Sequence, residues 1–325
     1  VNFVSGDVAF KRAGESARRQ LLLKDDLKSG DALTTGGRGQ VEVLLNPGSY
    51  LRLGGDSEFE LTDNSLDKLR LKLVKGSAVI EATGYGDLGP LMVVETPRSR
   101  VSIVRGGIYR LNVSAGGGTE VAVHKGRVLV GGAEAVLVKE GKLARASSDG
   151  VEVVKFEKKD RDDLDLWSRE RGRELAKVNQ KLSVRNVNAL LANSNYDYLM
   201  SAQNRYGFTG VWVWDASRGC NTFLPFVYGW RSPYGHFYDH QLVASFGAQC
   251  ASCPRTLRPV VISGRYPTMP PSTDSPGGMR PVHGGMNPTP GVGDFSRPAE
   301  RSPVDRSPGI DRPGRRKPEI TSRDQ

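Results

Sequence analysis

Three clusters of side chains in this sequence could do chemistry, and each is constrained by its neighbours. Cys250-Ala-Ser-Cys253 has the spacing used for haem attachment, redox pairs and zinc sites. Haem attachment needs a His directly after the second Cys, and Pro254 stands there. A redox pair belongs in a βαβ setting, which the surrounding sequence does not provide. A zinc site would need two more ligands, and Cys220 with His236 or His240 could supply them. A structural disulfide from Cys220 to Cys250 or to Cys253 is the simplest expectation, with one thiol left over.

His236-Phe-Tyr-Asp-His240 places two histidines four apart, as on a metal-binding helix face. Ser232-Pro-Tyr-Gly235 before it makes a loop instead, and no Glu follows the first His, so these read as polar residues of an aromatic loop. His124 sits in the alternating run Val121–Val130 and is expected to face solvent. Asp160, Asp162, Asp163 and Asp165 are dense acids at the start of a helical pattern, where carboxylates favour the positive end of the dipole. The turn glycine and closing Glu of a calcium loop do not follow them. The sequence contains no Gly-x-Ser-x-Gly elbow, P-loop or dinucleotide fingerprint. Neither an enzyme nor a cofactor is expected.

The elements that would position such groups change along the chain. Residues 1–156 are expected to be β nearly throughout: Leu69-Arg-Leu-Lys-Leu73 and Tyr109-Arg-Leu-Asn-Val113 alternate strictly, as do Val121–Val123 and Val128–Val130. Period-two alternation puts one face in a core and one in water. Glycines ahead of strands at Gly48, Gly76, Gly126 and Gly150 predict about a dozen short strands in a roll, sandwich or short solenoid. Residues 157–192 predict an amphipathic connecting helix with Leu164, Trp167, Leu175, Val178 and Leu182 on one stripe, interrupted at Arg171. This helix is expected to continue through Ala189–Ala192.

Residues 193–266 form an aromatic module, with 14 of the chain's 24 aromatics between 196 and 246. So many rings cannot all hide within a core of this size. They either pack on the β domain or form a sticky surface. Trp212, Trp214, Phe226, Tyr228, Trp230 and Tyr234 are the candidate interface residues. From Pro267 to Gln325 the chain is rich in Pro, Gly and Arg, with 12 of the 19 prolines. An extended tail is expected there, ordered only against a partner.

Formal net charge is +10, but it is spread over all regions and no basic arm emerges, which argues against nucleic acid. No run is long and apolar enough to span a bilayer. An opening at Val1 is what a removed signal peptide would leave.

The β region resembles the FecR domain family. That family runs Gly-Asp-x-Leu-x-Thr, a small-Arg step into a strand, Gly-Ser-x-Leu-x-Leu, a Leu-rich strand ending in Lys-Gly, Thr-Pro-x-x-x-Val, and Gly-x-Val-x-Val. Here the pieces stand as Gly30-Asp31 to Thr34, Arg38 to Leu45, Gly48-Ser49 with Leu51 and Leu53, Leu69 to Gly76, Thr96-Pro97 with Val101, and Gly126 to Val130. Where the family has Gly-Thr-x-Phe, this chain has Gly106-Gly-Ile-Tyr109. The resemblance implies a β fold and an envelope location. Family members act as periplasmic parts of iron-uptake regulators that bind a transporter's signalling domain and control a sigma factor. Within these 325 residues, an anti-sigma segment and a membrane helix have no counterpart.

The expectation is a non-enzymatic secreted or surface protein that self-associates through the aromatic anchors and the tail. One alternative is a periplasmic FecR-like signalling or scaffold protein that binds another envelope protein. A second is an envelope protein that binds a glycan.

Overall fold

The computed structural model describes residues 1–65, 68–85, 89–156, 161–185, 187–188, 209–246 and 257–263. By packing the chain divides into Val1–Met269 and Pro270–Gln325. The second unit, and with it the expected tail, lies outside the described residues.

The chain is mainly β. Its strands are β1 (Phe3–Ser5), β2 (Val8–Lys11), β3 (Arg19–Gln20), β4 (Asp31–Thr35), β5 (Gln40–Leu44), β6 (Tyr50–Leu53) and β7 (Glu58–Asp63). They continue as β8 (Arg70–Tyr85), β9 (Met92–Thr96), β10 (Ser99–Val113), β11 (Thr119–Val130), β12 (Val136–Lys139), β13 (Lys142–Ser147) and β14 (Gly150–Lys155). These 14 strands form one sheet, ordered β14-β13-β11-β10-β9-β8-β7-β4-β2-β3, and β10 also pairs directly with β8. A second branch leaves β8 through β6, β5 and β1. All pairings are antiparallel except β8 with β9.

The alternation read from the sequence decides what lies between the branches. Leu69, Leu71 and Leu73 are buried while Arg70 and Lys72 face out. They join Phe10, Leu33, Leu53, Ile80, Leu111 and Val121 in one continuous apolar core. Asp31, from the Gly-Asp motif, is fully buried at the start of β4, where it accepts from the N–H groups of Ala13 (2.9 Å) and Lys28 (2.7 Å).

Several strands are longer than the sequence predicts, because two of the glycines expected ahead of strands lie inside them. Gly76 and Gly126 bend β8 and β11 without ending them, at φ of 87° and 100°. Only glycine adopts that conformation without strain. A Cβ at Gly126 would stand 2.0 Å from the Tyr109 hydroxyl, so the missing side chain also leaves room for that ring.

Helix α1 spans Asp163–Gln180. Asp162 caps it, its carboxylate accepting from the Asp165 N–H at 2.9 Å, and Asp163 and Asp165 follow in the first turn. Asp162, Asp163 and Asp165 are therefore a helix start, as their spacing predicts, while Asp160 lies outside the described residues. The helix ends at Lys181. Of the continuation expected at Ala189–Ala192, the residues lie outside the described ones. Beyond it, β15 (Gly210–Asp215) and β16 (Cys220–Pro225) form one hairpin. A second antiparallel pair joins β17 (His240–Phe246) to β18 (Leu257–Ser263). Among the described residues no helix is long and apolar enough to cross a membrane.

Candidate functional site

With Val41 and Val43 turned into the core, Glu42 of β5 must point to the opposite face. On β6, Leu51 and Leu53 turn inward and send Arg52 out, and on β8 Ala78, Ile80 and Ala82 do the same for Glu81. Strand register sets Glu42 opposite Arg52 and Arg52 opposite Val79. Alternation alone would leave this face wet. Instead α1 lies across it, and Glu42, Arg52 and Glu81 are at most 1% exposed.

These charges are paired to one another. Arg52 Nε donates to Glu42 Oε2 at 2.8 Å, and Arg52 Nη1 donates to Glu81 Oε2 at 2.9 Å and to Ser168 Oγ at 3.0 Å. From the helix, Arg171 Nε reaches Glu42 Oε1 at 3.2 Å, while Asn2 Nδ2 donates to the same oxygen at 2.8 Å. Arg171, which interrupts the apolar stripe, is thus where the helix engages the sheet. Two guanidinium groups and two carboxylates balance. Removing one partner from such a buried set strands the others in a medium that cannot solvate them.

The two carboxylates respond differently. Burial would raise the Glu42 carboxyl, but Arg52 and Arg171 outweigh it and hold it below its ordinary value. Glu81 is raised, because burial outweighs Arg52 and a Ser232 hydrogen bond, and the negative Glu42 adds to it. Burial also pushes the Tyr234 phenol up to about 12; its hydroxyl lies 2.8 Å from Ser168 Oγ. At the helix start Asp162 pairs with Arg110 of β10. His124 sits there too, its Nε2 3.7 Å from Asp165 and its ring edge-on to Phe156. It was expected in solvent; the first turn of α1 covers that part of the sheet, and the side chain is 12% exposed.

Next to this network the aromatic module packs on the β domain. Trp212 stands against Tyr50 (centroids 5.0 Å) and its cross-strand partner Phe223 (5.7 Å), and its Nε1 donates to the Leu45 carbonyl at 3.4 Å. Phe223 continues to Trp230 (4.8 Å), and Trp230 to Tyr238 (4.9 Å). Phe226 packs against the cluster of Val213, Leu224 and Leu242. Trp214 lies under the Lys24 ammonium, 3.9 Å from the ring centroid. Tyr234 closes over Ser168, and Tyr228 is 41% exposed. Of the two fates open to the rings, packing within the chain is the one adopted by Trp212, Phe226, Trp230 and Tyr234. Asn179 fastens the arrangement: its side chain donates to the Phe223 and His240 carbonyls, both at 3.0 Å, and accepts from the His240 N–H at 2.9 Å.

The disulfide expected at Cys220 has both its candidate partners outside the described residues. Cys220 is a buried thiol facing Tyr50, Leu175 and Val178, and burial raises its pKa. Its strand position turns it into the interface with α1, where it packs among apolar groups. Cys250 and Cys253 lie outside the described residues. His236 is held by the Arg169 carbonyl (3.3 Å), and the His240 backbone by Asn179. Among the described residues no group of three or more His, Cys, Asp or Glu is placed to hold a metal.

The sequence reading did not single out Glu42, Arg52, Glu81 or Arg110. A usable signal was present in Tyr50, Val79 and Ile108, apolar residues at positions that alternation assigns to water. Together they mark a face that is covered.

No curated protein matches the chain. Two crystal structures of a proposed anti-sigma factor from Parabacteroides distasonis ATCC 8503 align with it. One is 13% identical over 60% of this chain and 99% of that one. The other is 14% identical over 57% and 95%. Both superpose at a TM-score of 0.33, too loosely to carry an argument. Residues 31–129, from the start of β4 to the penultimate residue of β11, match the family described as FecR protein, so the resemblance in the motifs holds over that part of the β domain.

Proposed function

We propose that this chain is a non-enzymatic, FecR-like envelope protein that works by binding another envelope protein, as a signalling or scaffold component. The observation that carries this reading is the FecR match over residues 31–129. Residues 1–156 would be the binding domain, with segments 157–192 and 193–266 as its brace. The packing of Trp212, Trp230 and Tyr234 against the chain's own residues favours this over self-assembly, since those rings were the anchors that self-assembly required.

Two measurements test it. Light scattering on the purified chain should return a monomer near 35.3 kDa, and negative stain should show discrete particles. Photocrosslinking from the β domain in the envelope fraction of the producing organism should then yield one dominant heteromeric product. Filaments, or a crosslinked ladder of the chain with itself, would reinstate self-association. Retention on a glycan array with no protein crosslink would favour the glycan reading.

A further inference from the structure

A groove of about 640 Å³ opens where the two branches of the large sheet part, with β5 contributing to one side and β7 to the other. Its walls are Leu27, Val43, Leu45, Leu61 and Leu69, which all belong to or pack against the main core and are reachable here from outside. The rim is polar: Asn46, Asn64 and Asn221 stand around it, with Asp26.

Lys24 and Trp214 also stand at the rim, and Val1 and Leu44 complete the lining. Lys24 is held at a φ of 71°, a left-handed conformation unfavourable for a side-chain-bearing residue. Strain of this kind persists only where the surroundings impose it, and it gathers at binding sites. Leu22 and Leu23, just before it on the same loop, are 59% and 42% exposed. An apolar slot, a strained cation at its mouth and adjoining exposed leucines thus coincide in one place.

We propose that this groove is the docking site for an extended segment of another protein, with an aliphatic side chain in the slot and a neighbouring carboxylate on Lys24. This rests on the binding-protein reading and names the kind of segment it takes. The side chains of Asn46, Asn64 and Asn221 each hold a partner within the chain, at the Leu91 carbonyl, Ser29 and Asn2. Their remaining amide donors and acceptors suit the N–H and C=O groups of an extended main chain. An acyl chain would leave them unused. A sugar would need an open aromatic face, and Lys24 lies over that of Trp214.

The test uses the full chain labelled at Leu and Val methyls. The probe is acetyl-Ser-Leu-Asp-Leu-Ser-amide, alongside a version with Lys in place of Asp. The methyl signals of Leu27, Val43, Leu45, Leu61 and Leu69 should shift with the acidic peptide. Lys24→Glu should weaken that peptide about tenfold and make the lysine peptide the better ligand, as charge reversal at a contact dictates. Lys24→Gln, which removes charge without reversing it, should give a smaller loss. No shift at about 5 mM peptide, or shifts only at other methyls, overturns the proposal. So does a response of the same methyls to lauroylsarcosine or an oligosaccharide but not to peptide. If the heteromeric crosslink forms equally in Lys24→Glu while the peptides fail, the groove is excluded and the binding-protein reading stands.

Discussion

On its inner face the large sheet buries Leu71, Ile80 and Leu111 in one continuous apolar cluster. Its outer face under α1 is as dry, yet holds Glu42, Arg52 and Glu81. Inner residues are interchangeable in kind, because any aliphatic group of similar volume satisfies them. Those outside are not, because each hydrogen bond there has a named partner at a fixed distance. One face supplies adhesion, and the other specifies where α1 must lie.

Breaking the comparison at its strongest point should have the largest effect. Arg52→Leu takes the guanidinium from Glu81 and leaves Glu42 with Arg171 and Asn2 only, and should cost about 3–5 kcal/mol, read from urea unfolding. Replacing Glu42, Arg52 and Glu81 together by Gln, Met and Gln should recover most of that loss. If the triple change is as damaging as the single one, the network contributes more than mutual neutralisation.

Trp212→Ala should destabilise by about 3 kcal/mol, because its ring fills space between Tyr50 and Phe223. A variant of unchanged stability that had lost self-association would instead return this ring to an external interface.

The two carboxylates should separate by pH. Glu42 is depressed, so its contribution is full above its unfolded value and is lost as pH falls through the folded one. The cost of Glu42→Gln should therefore grow as pH rises towards about 4.5 and level off above it. Glu81 is raised, so the native state holds its proton longer than the unfolded chain. The cost of Glu81→Gln should be greatest in acid and shrink as pH rises from about 4.5 through the folded value. Parallel slopes for the two variants would refute this asymmetry.

Asp162→Ala removes a cap and a partner of Arg110, and should cost about 1–2 kcal/mol by thermal unfolding. Smallest of all, Leu166→Ala on the exposed side of α1, 54% exposed, should stay within about 0.5 kcal/mol of the parent.

The inner face was legible in the sequence because burial on one side only leaves a period of two, as in Leu69 to Leu73. The outer face was not. Alternation marks Glu42, Arg52 and Arg110 as outward-facing, and only an element more than 100 residues away decides for Arg52 whether outward means wet. The helix was legible from its spacing, while the role of Arg171 depended on Glu42, 129 residues distant. The aromatic density was plain, but where the rings go depends on Tyr50 in another segment. The groove left no mark, since its walls are ordinary core residues and only the parting of two sheet branches exposes them.

The outer face also bears on how the chain is made. All 14 strands of the large sheet end at Lys155, so that sheet leaves the ribosome before the helix and hairpins that cover it. A face built only of leucines would spend that interval as an aggregation site. Glu42, Arg52, Glu81 and Arg110 let the same surface stay hydrated while it waits and become dry once Ser168 and Arg171 arrive. The growing polypeptide thus carries its own temporary protection against sticking, and completion of the chain removes it.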